Sequence, residues 1–425
     1  MQIELTAFSG GVIGGCWTEA FHRAVDVLRT AGGGRLVVPA GVYPTGPICL
    51  YSNIELHLEA GAVLRFLDRE DAYPLRRCLY EGKVSSRPSP CISAYKADNV
   101  SITGFGTLDG QGAAWWGKAR AKTPGPGRPY LLHFEDCTRV TLRDIRLENS
   151  PAWTVHPLRC EDVRVEGITI CNPYDAPNTD GINPESCRNV RILGCCVDVG
   201  DDCITLKAGT EETAHPAPCE NIVIADCCLV HGHGGIVIGS EMSGGVRNVT
   251  VSNCVFTGTD RGLRVKTRRR RGGTVENITL SNLVMEGVFC PFVFNMYYCC
   301  GTDEKDRWVW DKAPYPVDGG TPAYRNISIQ NVTVTGAAAS AGFFYGLAES
   351  PIAGLRMSDC TIRMAAGAAP QVPAMMGGLA PMRAGGLFLR NVRDASLRNI
   401  RVEGAEGPIL DIDGTVQHFR QENVE

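Results

Sequence analysis

Four short polar motifs stand out against an otherwise apolar repeat: Asn178-Thr179-Asp180, Gly200-Asp201-Asp202, Gly232-His233-Gly234 and Arg264-Val265-Lys266. Asp180 and Asp201 are 21 residues apart, Asp202 and His233 are 31 apart, and His233 and Arg264 are 31 apart. Three carboxylates, an imidazole and two cations suit acid–base cleavage of a glycosidic bond. One carboxylic acid protonates the leaving oxygen and another carboxylate serves the attacking water. Clustered carboxylates raise one another's pKa, which keeps one of them protonated as an acid. Asp201 and Asp202 are adjacent, so on a regular strand they would face opposite ways. Both reach one groove only if the backbone turns there, which Gly200 permits. Arg264 and Lys266, at i and i+2, share a strand face and can balance the acids or bind an anionic substrate.

The elements that must position these groups are read from the repeat apolar-x-apolar-x-x-apolar-x-apolar. It begins at Val140, Val163, Val190, Ile222, Val249 and Ile278, and again at Ile327, Leu355 and Ala395, with a looser copy at Val100. From Val140 to Ile278 the starts are 23, 27, 32, 27 and 29 residues apart. Alternation in each half reads as a short strand and the two-residue slip as a bend. A period in this range means a solenoid. Each polar motif follows the second apolar pair of its unit, so coils about 4.8 Å apart would align the motifs on one face.

Rows between units support the register. The residue before the first apolar position is Asn99, Asp162, Asn189, Asn221, Asn248, Asn277 or Asn326. Stacked asparagines at a turn can hydrogen-bond along the stack, so their Asn-x-Ser/Thr triplets read as structural. Of the nineteen cysteines, Cys137, Cys160, Cys187 and Cys219 share one repeat position and Cys195, Cys227, Cys254 and Cys360 another. They read as small buried hydrophobes. The adjacent pairs Cys195-Cys196, Cys227-Cys228 and Cys299-Cys300 lack the spacing of a metal site. Phe21, Val25 and Leu28 at helical spacing, stopped by Gly32-Gly33-Gly34, predict a helix from Thr18 to Ala31 that caps the stack.

The expected architecture is therefore all-β, a parallel β-helix in one domain. Residues 1–40 form the cap region, 41–410 the coils and 411–425 a C-terminal tail. Segments 68–98, 111–130, 296–323 and 363–386 break the period and read as inserted loops, where binding groups gather. Trp115-Trp116 in one of them could stack on sugar rings or pin the loop. Tyr297 and Tyr298, after an apolar run, could reach the groove. Arg268–Arg271 reads as a solvated charge run. A net charge of −4 disfavours nucleic acid as a partner. No run of 18 apolar residues suggests a membrane span. The start lacks a secretory signal pattern, which points to a cytoplasmic location.

Taken together, NTD at 178–180, GDD at 200–202, GHG at 232–234 and R-x-K at 264–266 resemble the polygalacturonase family of glycoside hydrolases. Each triplet alone is weak; four in order, one per coil, are specific. The resemblance implies a right-handed parallel β-helix and hydrolysis of α-1,4 galacturonosyl linkages with inversion, without metal or other cofactor. The substrate partner would be an acidic oligo- or polysaccharide. It implies Asp201 as proton donor, Asp180 and Asp202 as the pair activating water, and His233 as the residue tuning the acid. Arg264 and Lys266 would hold the substrate carboxylate, with Asn178 lining the same subsites. Gly239–Met242 and Thr267–Arg271 resemble the bacterial exo-acting branch. The alternatives are a related pectin-backbone hydrolase acting on xylogalacturonan or a rhamnogalacturonide, a calcium-dependent lyase, and a non-catalytic carbohydrate-binding β-helix.

Overall fold

A computed structural model describes residues 1–299, 302 and 306–425; Cys300, half of the third adjacent cysteine pair, lies outside them. The chain divides into two compact units, Met1–Asp202 and Cys203–Glu425. Each is a stack of short parallel strands, and the coil is that of a right-handed parallel β-helix. No helix among the described residues is long and apolar enough to cross a membrane.

In the first unit the repeat positions lie on top of one another. Val100 pairs with Val140, Val140 with Val163, and Val163 with Val190. After the bend, Leu108, Leu147, Ile170 and Val197 form a second row. A third row comprises Ile48–Leu50, Ile92–Tyr95, Leu132–Glu135 and Val155–Leu158. The helix spans Thr18–Thr30 and buries Ala20, Phe21, Ala24, Val25 and Leu28. It packs on strands Gly34–Val38, Ile48–Leu50 and Ile54–Leu58, covering apolar edges that would otherwise meet water.

The second unit repeats the pattern. Ile222, Val249, Ile278, Ile327 and Leu355 stack in order. Its inner strands include Ile204–Leu206, Ile236–Ile238, Arg261–Lys266, Cys290–Asn295 and Ser340–Tyr345. Phe294 stacks on Phe344 at 5.0 Å within the core, and Phe343 stacks at 5.1 Å on the half-buried Phe388. Residues 411–425, expected as a tail, instead add a rung: Arg420–Val424 pairs in parallel with Ser396–Glu403. Their polar sequence suits an end strand, exposed on its outer side.

The asparagine row is a hydrogen-bonded ladder. Asn248 donates to Asn221, Asn277 to Asn248 and Asn326 to Asn277, at 3.0, 3.0 and 2.6 Å. All four have φ between +55° and +60°, a region asparagine tolerates better than other non-glycine residues. A second ladder, which the sequence reading did not single out, sits at the bend. There Asn253 donates to Asp226, Asn282 to Asn253 and Asn331 to Asn282, again at positive φ.

The cysteines obey strand alternation. Cys195 and Cys227 are buried, while their neighbours Cys196 and Cys228 are exposed. None of the described cysteines is in a disulfide.

Candidate active site

Asp180, Asp201 and Asp202 come together within the first unit. Each offers a carboxylate oxygen, and these oxygens lie within 4.8 Å of one another. Strand Cys196–Val199 ends just before them, so Asp201 and Asp202 occupy a turn and escape strand alternation. Gly200 is required by close approach: a Cβ there would lie 2.5 Å from the carbonyl oxygen of Ala176. The amide of Asp202 donates to Asp201 Oδ1 at 2.9 Å. The amide of Gly181 donates to the carbonyl of Asp202 at 3.0 Å, tying the two motifs together. Asn183 Nδ2 donates to Asp180 Oδ2 at 3.1 Å. Asp180 and Asp202 are buried, whereas Asp201 is partly exposed. Unlike environments of this kind separate the roles of neighbouring carboxylates. Among the described residues this trio is the only cluster of histidine, cysteine or carboxylate groups with the spacing to hold a metal ion.

Asn178 has φ +53°, and its side-chain oxygen accepts from Arg128 Nη2 at 2.6 Å. Arg128 also donates through Nη1 to the carbonyls of Pro151 and Pro177, at 3.0 and 2.5 Å, so it braces the turn carrying Asn178 and Asp180.

His233, Arg264, Lys266, Tyr297 and Tyr298 belong to the second unit. His233 lies between two glycines after strand Cys228–His231, and its Nδ1 meets Asp260 Oδ2 at 2.9 Å. A carboxylate accepting at Nδ1 favours the proton on that nitrogen and so fixes the tautomer. Burial works to raise the Asp260 carboxyl. The His233 hydrogen bond and the Arg261 and Arg264 charges outweigh it, so Asp260 is held below the usual aspartate range. Asp260 was absent from the sequence reading, although it lies one coil after His233 and four residues before Arg264.

Strand Arg261–Lys266 presents Arg264 and Lys266, and both are buried. The Arg264 guanidinium lies 5.9 Å from the Tyr298 ring centre and Lys266 Nζ 5.4 Å from it. Tyr298 therefore holds the cationic pair, at 7 % exposure. Tyr297 corrects the expectation that it reaches a groove. It is 0 % exposed, with Lys312 Nζ 3.4 Å from its ring centre and Tyr345 edge-on at 5.2 Å. Both tyrosines follow the end of strand Cys290–Asn295, and both are buried, Tyr297 under Lys312 and Tyr345 and Tyr298 beside Arg264 and Lys266.

The basic run also departs from expectation. Arg268, Arg269 and Arg271 are buried and paired. Arg268 and Arg271 share Glu211 at 2.7 and 2.6 Å, and Arg269 grips Glu349 through two bonds of 2.5 and 2.9 Å. Three buried guanidiniums demand such partners, because unpaired charge in the interior is costly. Glu241 is likewise buried against Lys207 at 3.2 Å. Burial raises its carboxyl, but Lys207, then Arg271 and Lys266, bring it below the ordinary value. Trp115 and Trp116 are loop pins: Trp116 donates to the carbonyl of Ser150 at 2.9 Å and Trp115 meets Tyr73 edge-on.

Comparison with known proteins adds an independent line. Residues 35–373 match glycosyl hydrolases family 28. A probable polygalacturonase of Vitis vinifera is 32% identical over 361 residues, covering 82% of this chain and 71% of the relative. The crystal structure of a hyperthermoactive exopolygalacturonase from Thermotoga maritima superposes with a TM-score of 0.74 at 29% identity, covering 95% of this chain and 92% of that one. An exopolygalacturonase of Yersinia enterocolitica, at 21% identity and TM-score 0.79, shares the fold. Matched over most of its length, the chain belongs to glycosyl hydrolases family 28.

Proposed function

We propose that this protein hydrolyses α-1,4 linkages between galacturonate units in polygalacturonate or its oligomers, with inversion, and releases units from a chain end. The observation that carries the chemistry is the single cluster of Asp180, Asp201 and Asp202. Asp201, the most exposed of the three, is assigned the proton for the leaving oxygen. Asp180 and Asp202, buried beside it, are assigned the attacking water. A spacing of 4.8 Å or less is short for an inverting pair, which usually stands about 6.5–9.5 Å apart. Inversion is therefore supported by family membership and by a third carboxylate that can share one water, not by separation.

In the second unit, Arg264 and Lys266 are assigned a substrate carboxylate, since a strand-borne cationic pair suits an anionic sugar. His233, anchored by Asp260, is assigned the support of the acid. Chain-end action is supported by the inserted hairpin Leu75–Tyr80 and Lys83–Pro88 and the inserted helix Ala113–Arg120, material beyond what the coils need. No resident metal is invoked, so a chelator should leave the rate unchanged.

The test is a time course of products on polygalacturonate. Mono- or digalacturonate alone in the first minutes fits chain-end action, and a ladder of sizes overturns it. Unsaturated products would overturn hydrolysis itself.

A further inference from the structure

The hairpin carries a residue that the chemistry above does not use. Arg87 stands on its second strand, half-buried, with its guanidinium carbon 3.8 Å from the Tyr80 ring centre. Gly127 also lies against it, where a Cβ would come within 2.8 Å of that carbon. The planar group is thus packed against both a ring and a stretch of backbone. Tyr80 in turn stacks on Trp153 at 4.9 Å and 25°, which fixes the hairpin to the body of the first unit.

The polar atoms of this cluster are only partly used. Arg87 Nη2 donates to the carbonyl of Arg128 at 3.3 Å. Arg87 Nε and the Tyr80 hydroxyl are buried without a hydrogen-bond partner among the described residues. Buried donors left unsatisfied are costly, so each calls for a partner that the neighbouring side chains do not supply. The neighbours identify that ligand's chemistry. Arg128 joins this group to Asn178, and Asp180 and Glu81 are the acids close enough to act on Tyr80 and Arg128. A guanidinium and a phenol hydroxyl with unused donors, linked through Arg128 to Asn178, fit a carboxylate.

We infer that Arg87, with the Tyr80 hydroxyl, binds the carboxylate of the terminal sugar acid on the Asp180–Asn178 side of the cleaved bond. Arg128 is a positioning residue, holding Asn178 and the loop carbonyls. This rests on the galacturonan reading and adds to it the residue that tells a charged chain end from a neutral one. A rigid, stacked guanidinium suits a planar carboxylate better than a flexible ammonium does.

The experiment compares kcat/KM for trigalacturonate and for its two forms methyl-esterified at one or the other terminal unit. Wild type and the Arg87→Gln and Arg87→Lys variants are measured together. One terminal ester should slow the wild type roughly 10- to 100-fold, the range for losing a hydrogen bond to a charged group. Arg87→Gln should slow cleavage of the free acid by a similar factor and erase the penalty for that ester, and Arg87→Lys should restore part of the discrimination. A purely structural role would slow all three substrates alike. Arg87→Gln retaining the wild-type penalty would overturn the inference. So would a wild type indifferent to both esters, even if the variants failed to fold. If the wild type cleaves none of the trimers, the galacturonan reading falls, and the inference with it.

Discussion

Asn277 is the most informative single residue in the ladder of the second unit. Its amide donates to Asn248 at 3.0 Å, its oxygen accepts from Asn326 at 2.6 Å, and its φ is +57°. Asn277→Ala removes both bonds. Each is worth about 1 kcal/mol net, because the freed partners are exposed and turn to water. It also forces alanine into the left-handed region, at about 1 kcal/mol more. Asn277→Gly loses the same two bonds but relieves the backbone, less about 0.5 kcal/mol for the extra freedom of the unfolded chain. The expected losses are therefore about 3 kcal/mol for Ala and about 2.5 kcal/mol for Gly. Unfolding entropy is about 2 cal/mol/K per residue. On that scale the alanine variant melts roughly 3 °C lower if the whole chain unfolds together, and roughly 6 °C lower if residues 203–425 unfold alone. Calorimetry at one scan rate, with activity assayed well below the transition, reads this directly. Initial rates should be unchanged, since the side chain is exposed on strand Thr274–Glu286, outside the residues assigned to the chemistry. Two variants melting within 1 °C of wild type would refute the ladder as a stabilising device; glycine melting well below alanine would refute the backbone part.

The remaining predictions concern the site and one buried charge. Asp201→Asn keeps an oxygen for the Asp202 amide but cannot give up a proton, so the rate should fall at least ~10²-fold, and near-normal hydrolysis would remove Asp201 from the acid role. Proton NMR of the first product should show the β-anomer, and α-anomer appearing first would mean retention. Lys312 is pushed down to about 8, first by burial and then by the Arg269 charge. Between that value and its ordinary 10.5 the unfolded chain binds the extra proton, so this group makes stability rise with pH across the window. Wild-type stability measured relative to Lys312→Met should accordingly rise from pH 7 to pH 10; a difference independent of pH would contradict the shift.

Much of the fold was legible because a solenoid writes its contacts into local sequence. Val100, Val140, Val163 and Val190 stack as their spacing requires, since each coil sees only its neighbours. The second ladder could have been found the same way: the residue before the third apolar position is Gly167, Gly194, Asp226, Asn253, Asn282 or Asn331, all types that accept positive φ. The aspartate motifs were legible too, because they recur one per coil and their chemistry needs those residue types.

Composition and spacing thus determined the coil, its register, the capping helix and which polar groups deserve chemical roles. Tertiary structure alone decided what the insertions do. Arg268, Arg269 and Arg271 look solvated in sequence, yet Glu211 and Glu349, far along the chain, draw them inside. Asp260 becomes a partner of His233 only when two coils stack, and Tyr297 turns inward only when Lys312 and Tyr345 cover it. The difference is physical: periodic strands meet neighbours at fixed separations, whereas a loop's charges and rings are placed by whichever distant groups can satisfy them.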